Sequence, residues 1–206
     1  MTGAFSYQPA LLARRLTFTV TPTGLTCRTA EGDEKWRLDW AQVTAAAFVE
    51  HRVRGNLFRR LDLLTGASGG RQSVSITCGR VAPAADPDSA AHLGLVAAIL
   101  DQLAAFAGGF EVRIGEYGRH RLAIFGVGLA AVAGAVGLFA LALVTGAAGG
   151  KLAGAAVPLL LLGAFGGALV VAYAPWREPA CLPARTLARA LRIMAASGDV
   201  SPDPPS

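Results

Sequence analysis

Two long uncharged stretches, separated by a short break, bound what this chain can fold into. Residues 122–144 read LAIFGVGLAAVAGAVGLFALALV, with no charge and no proline. At about 1.5 Å per residue a helix of that run is about 35 Å long, enough to cross a hydrocarbon core of about 30 Å with some tilt. A second run, residues 152–176, is comparable; besides Pro175 at its end it carries only Pro158, near its start. First-turn N–H groups lack intrahelical partners anyway, so that proline is tolerated. The break between the runs is TGAAGGK at 145–151. A buried helical hairpin of a soluble protein is the competing reading, and two consecutive uncharged runs of this length argue against it. The expectation is two transmembrane helices, at about 122–144 and 152–174.

Basic residues in the flanks orient this hairpin. Arg113, Arg119 and Arg121 precede it, Arg177, Arg185, Arg189 and Arg192 follow it, and the connecting loop holds only Lys151. The positive-inside rule then places both termini in the cytoplasm. Tyr173 and Trp176 suit the inner interface of the second span. Gly126, Gly128, Gly134 and Gly137 in the first span, and Gly163-Ala-Phe-Gly-Gly167 in the second, allow close packing of helices. Either the two spans pack on each other, or Gly163 and Gly167 form the seam of a homodimer.

The remainder of the 206 residues leaves room for one small soluble domain. Residues 1–108 hold 11 basic and 9 acidic side chains, so the net charge of +5 comes mostly from the membrane flanks. A pI of 9.6 is therefore no argument for nucleic acid. Lys35 and Lys151 are the only lysines among abundant Ala and Gly, a composition expected of a GC-rich bacterial genome. Cys27, Cys78 and Cys181 are odd in number and widely spaced, which suits a reduced cytoplasmic setting rather than disulfides or metal. The apolar stretch at 9–13 is too short for a signal peptide, so the first span is expected to do the targeting. The expected location is a bacterial cytoplasmic membrane.

After a loose lead-in over 1–13, alternation of period two predicts strands at 16–20, 25–29 and 35–40, the last with Trp36, Leu38 and Trp40 on one face. Further strands are expected at 45–54, 58–64 and 72–78, joined by the glycine-containing turns at 55–56 and 65–70. Beyond the loop at 82–88 a helix starts, capped by Asp88 or Ser89. Its stripe Leu93, Val96, Ile99, Leu100, Leu103 and Phe106 lies on one face, and Gly108-Gly109 stops it. The fold class is α+β: a small antiparallel barrel or sandwich closed by one amphipathic helix, then two transmembrane helices.

This strand order, the segment LDWAQV at 38–43 and the closing helix resemble bacterial pleckstrin-homology-like (PH-like) domains. In that family a strand commonly ends in Trp, followed by a polar pair and an aliphatic where the chain turns between two sheets. Trp40 and Val43 match. The resemblance covers residues 14–108 and supplies six of the family's seven strands. It implies a binding or scaffolding module, often attached to membrane spans, and no catalytic residues.

Residues 109–121 join the domain to the membrane, and the alternation of Phe110, Val112 and Ile114 makes them a short strand or an extended linker; 175–206 read as a basic cytoplasmic tail. Within the tail, Arg185, Arg189 and Arg192 share one helical face and Leu187, Leu191 and Met194 another. That helix either lies on an anionic inner leaflet or is simply solvated.

Motifs of chemistry are few. The stretch GAAGGK at 146–151 is one residue short of a phosphate loop and lacks the following Ser or Thr. The stretch GVGLAA at 126–131 has no strand before it, so it is no dinucleotide fingerprint. His51, His92 and His120 share no ligand spacing, and no nucleophile–base or carboxylate pair argues for catalysis. No cofactor, metal or enzymatic activity is expected. One surface remains: Arg52, Arg54, Arg59 and Arg60 around Leu57 and Phe58, a basic rim on an apolar tip suited to an anionic lipid or an acidic partner. The competing view is a pair of solvated edge strands guarded by charge. The expected function is a non-catalytic membrane-anchored module that binds a protein partner or inner-leaflet lipid. The alternative is an accessory subunit of a membrane enzyme or transporter, assembled through the Gly-rich spans.

Overall fold

A computed structural model of the chain describes residues 3–53, 55–66, 70–79, 86–115, 119–145, 149–176 and 180–197. The chain forms two compact units: Met1–Gly115 together with Ala180–Ser206, and Glu116–Pro179.

The first unit begins with four antiparallel strands in sequential order, β1 (Gly3–Tyr7), β2 (Leu16–Val20), β3 (Gly24–Thr29) and β4 (Glu34–Asp39). The lead-in expected at 1–13 thus contains a strand. Its apolar positions are only Phe5 and Tyr7, too few to announce themselves, but both are used. Tyr7 is fully buried and stacks on Phe18 at 5.4 Å. Phe5 lies over Gly94, where a Cβ would stand 3.3 Å from its ring. At the start of β3, a Cβ on Gly24 would collide with the Leu38 carbonyl, so glycine permits the close approach of β4.

A 3-10 turn, Trp40–Gln42, carries the chain between sheets; Asp39 accepts from the Ala41 N–H and Trp40 Nε1 donates to the Thr21 carbonyl at 2.9 Å. The long strands β5 (Val43–Val53), β6 (Asn56–Thr65) and β7 (Arg71–Cys78) follow as an antiparallel meander. The two sheets meet where the Thr77 N–H donates to the Pro9 carbonyl at 2.8 Å and the Tyr7 hydroxyl to the Ser75 carbonyl at 3.2 Å. Helix α1 (Pro87–Phe106) is capped by Asp86 rather than Asp88 or Ser89, because Pro87 suits the first helical position. Its stripe Leu93, Val96, Ile99, Leu100 and Leu103 is buried in one core with Trp40, Phe48, Leu61, Leu63 and Ile76. Phe106, expected on that stripe, is 57% exposed at the helix end.

Strand β8 (Glu111–Ile114) then pairs in parallel with β5, inside the stretch read as a short strand or linker. From there the chain passes through the second unit, helices α2 (Arg119–Val144) and α3 (Gly149–Ala172). It returns as β9 (Cys181–Pro183), antiparallel to β8, and ends in helix α4 (Ala184–Ser197). The second sheet is therefore β7-β6-β5-β8-β9.

The expected free tail needs correction. Ala184, Leu187, Ala188 and Leu191 are buried in the core, α4 packs along α1, and Arg192 pairs with Asp101. An amphipathic face needs an apolar partner, and this one finds α1 rather than lipid. Arg185 and Arg189 remain exposed, and Met194, expected beside the leucines, is 41% exposed.

Among the described residues, two helices are long and apolar enough to cross a membrane: α1 and the Arg121–Val144 stretch of α2. The first of these is the core helix of the first unit, with more than half of its apolar window buried, whereas only about a tenth of the α2 window is buried. Helix α3 contributes a shorter apolar stretch, Ala156–Ala172. It starts at Gly149, and Pro158 lies inside it; even counted from residue 152 that proline falls beyond the first turn, so the first-turn argument for its tolerance does not apply. Within this unit α2 and α3 run antiparallel: Gly128 meets Gly166, Ala135 lies near Gly163, and Arg121 Nη2 donates to the Ala174 carbonyl at 2.7 Å.

Candidate functional site

Strand alternation decides which residues of the expected basic tip are available. In the β5–β6 ladder Val53 faces Asn56, Arg52 faces Leu57, His51 faces Phe58 and Glu50 faces Arg59. Successive side chains alternate between faces, so Leu57 and Arg59 turn inward with Leu61 and Leu63. Leu57 is 2% exposed and belongs to the core, so it is not the apolar tip that the sequence suggested. Arg59 is 4% exposed; its Nε donates to Glu50 Oε2 at 2.7 Å and its Nη1 to Ser89 Oγ at 3.1 Å. It clamps α1 to the sheet.

Phe58 and Arg60 turn to the opposite face. The Arg60 guanidinium lies 5.7 Å from the centre of the Phe58 ring, and its Nε donates to Asp62 Oδ2 at 2.8 Å. Asp62 is fully buried and also accepts from Ser73 Oγ, with Arg71 Nε at 3.9 Å. Its acceptors are therefore used within the sheet. Arg54 lies outside the described residues. What the tip presents outward is Arg52, Val53 at 62% exposure, Gly55 and Asn56. Gly55 has φ +84°, the left-handed conformation that a tight hairpin turn requires.

A second surface lies at the β1–β2 connection. A turn closed by the Ala13 N–H on the Ala10 carbonyl exposes Leu11 and Leu12 at 90% and 97%. Arg14 and Arg15, which follow, form exposed pairs with Glu31 and Asp88. Behind this turn is an open recess of about 500 Å³ bordered by Tyr7, Leu16, Phe18, Trp36 and Lys35.

The nucleophilic groups near these surfaces are not activated. Burial raises the Cys27 thiol, which Lys35 only partly offsets, and burial likewise raises Cys78. Both remain protonated near neutral pH, as does Tyr7, raised by burial and then by Cys27. Burial lowers His92 to about 4; its Nε2 lies 3.4 Å from the Val74 carbonyl and its ring stands edge-on to Tyr7. No group of three or more metal-ligating side chains occurs among the described residues.

The helix-packing glycines divide differently from expectation. Cβ atoms at Gly128 and Gly166 would each come within 3.0 Å of the opposite helix, so these two make the close crossing. Gly163 is less constrained, with Ala135 Cβ at 3.7 Å, and among the described residues nothing beyond its own turn of helix lies within 4 Å of a Cβ at Gly167. Gly128 is one of the four first-span glycines expected to pack, whereas Gly166 falls inside the second-span stretch between the expected Gly163 and Gly167. Arg59 was legible from its two-residue spacing to Leu57 and Leu61; the run of arginines obscured it. The sequence matches no protein-family model and no curated protein.

Proposed function

We propose that this chain is a non-catalytic, membrane-anchored module whose cytoplasmic PH-like unit binds a protein partner or inner-leaflet lipid. The observation that carries the reading is the division of the first unit. Residues up to Gly115 and from Ala180 onward belong to one compact body, and the Ile114 N–H donates to the Ala180 carbonyl at 2.8 Å. Both ends of the intervening apolar segment therefore lie on one side of any membrane it enters, which requires an even number of crossings. Two helices supply two. Arginines flanking the segment favour the cytoplasmic side for both ends. Seven strands followed by α1, with Trp40 at the passage between sheets, support the PH-like reading. Adjacent exposed Leu11 and Leu12 support a binding role.

Cysteine accessibility in intact cells tests this. A cysteine at Ala148 is expected to react with an impermeant maleimide from outside, whereas Cys181, exposed on β9, reacts only after permeabilisation. Reaction of Cys181 from outside would remove the reading. The accessory-subunit alternative rests on Gly126, Gly134, Gly137 and Gly167, which the α2–α3 crossing leaves unused. It requires that Gly163→Ile and Gly167→Ile break a native complex while membrane insertion persists, Gly167→Ile being the variant that spares the α2–α3 contact, since Ala135 faces Gly163.

A further inference from the structure

The exit point of the chain from the first unit and the β5–β6 tip lie at the same end of the second sheet. Strand β8 runs parallel to β5, and its last paired residue, Ile114, stands opposite Phe48. The Gly115 N–H still donates to the Phe48 carbonyl at 2.9 Å, and there β8 ends. Strand β5 continues in the same direction through Val53, a further five residues or about 17 Å at strand rise. The returning chain re-enters at the same end, because Cys181 opposes Arg113. Both connections to the apolar hairpin thus leave beside a ribbon that projects beyond them.

The outermost residues of that ribbon have the character of an interfacial contact. Val53 is 62% exposed and Arg52 is exposed, next to the left-handed Gly55. Glu50, the acidic residue nearest in sequence on this strand, is engaged by Arg59 and does not neutralise Arg52. Arg52 and Val53 alternate to the two faces of the ribbon, so a contact made end-on brings both an apolar group and a cation into the headgroup layer of an anionic leaflet, where the arginine gains from the surface potential. Tethering makes a weak contact sufficient, since the hairpin holds the tip at high local concentration.

We infer that the β5–β6 tip, through Arg52 and Val53, rests on the anionic headgroups of the membrane that holds the α2–α3 hairpin. This rests on the membrane-anchored reading above, and failure of the full-length protein to insert into nanodiscs would sink that reading instead.

The test uses full-length protein with Cys181→Ser, carrying a single fluorophore at Val53→Cys or, as reference, at Glu34→Cys on β4. Nanodiscs contain phosphatidylcholine with or without phosphatidylglycerol, plus a lipid bearing a headgroup nitroxide. With the anionic lipid, quenching at position 53 is expected to exceed that at 34 by about twofold or more, and to fall in high salt and with Arg52→Glu. Equal quenching at the two positions overturns the contact. Quenching at 53 that ignores lipid charge, salt and Arg52→Glu overturns the anionic partner. Protection of position 53 only in native membranes assigns the tip to a protein and also overturns it.

Discussion

The Arg59 side chain is almost fully removed from water, so Glu50 and Ser89 must supply the solvation it has lost. Removing one member of such a pair leaves an uncompensated charge, whereas an apolar replacement of the buried member removes the problem. Glu50→Ala is expected to lower the stability of the first unit by about 2 kcal/mol, discounted because Glu50 is partly exposed. Arg59→Met is expected to cost less. Thermal unfolding in detergent, followed by Trp36 and Trp40 fluorescence, distinguishes the two. Buried His92 is expected to make the unit acid-sensitive. Its folded value, about 4, lies below the ordinary value of 6.5 because burial disfavours the imidazolium. Below pH 6.5 the unfolded chain binds a proton that the folded one refuses, so stability is full above that pH and falls as pH drops toward 4. The loss is at most about 3 kcal/mol. His92→Leu is expected to flatten this slope. An unchanged pH dependence would remove His92 from the account.

Helix α4 shows how far pattern carries at the level of an element. Its two faces were legible in the sequence, because Leu187 and Leu191 recur at helical spacing and the arginines fall opposite them. Its partner was not, since an amphipathic stripe is equally suited to a bilayer and to another helix. Strand β1 was missed for a related reason: its two apolar side chains gain meaning only from Phe18 and Gly94, far along the chain. The six other strands of the meander and α1 were legible because each carries several turns or alternations of its own period. Hydropathy alone would have sent α1 into the membrane. What keeps it out is burial by the sheets and α4. Leu191→Ala is therefore expected to cost about 2–4 kcal/mol, as for other buried leucines. Leu187→Asp with Leu191→Asp should release α4 altogether, and trypsin should then cut at Arg185 and Arg189 at least about tenfold faster, the open state being the one cleaved. Unchanged proteolysis would mean that α4 is not held by these side chains.

At the scale of the whole molecule, the hairpin is an insertion into a domain that would otherwise be continuous. Strands β8 and β9 form an antiparallel pair, and Ile114 stands opposite Ala180 at the point where a short turn could join them. A two-residue Asn-Gly loop has the twist that such a junction needs. Replacing residues 115–179 by Asn-Gly is thus expected to give a soluble unit retaining the β5–β8–β9 ladder and the buried faces of α1 and α4. Residues 1–115 alone leave bare the side of α1 that Leu187 and Leu191 cover, together with the edge of β8, and should aggregate. The comparison isolates what the C-terminal segment contributes, because both proteins lack the apolar helices. Cooperative unfolding of the joined unit, and not of residues 1–115, would establish that β9 and α4 complete the domain from across the insertion. In that case the domain cannot close during synthesis until both apolar helices have been made and the chain has returned to pair with β8. If residues 1–115 fold cooperatively alone, α4 is an accessory to a finished domain, and its docking is free to respond to whatever the hairpin does.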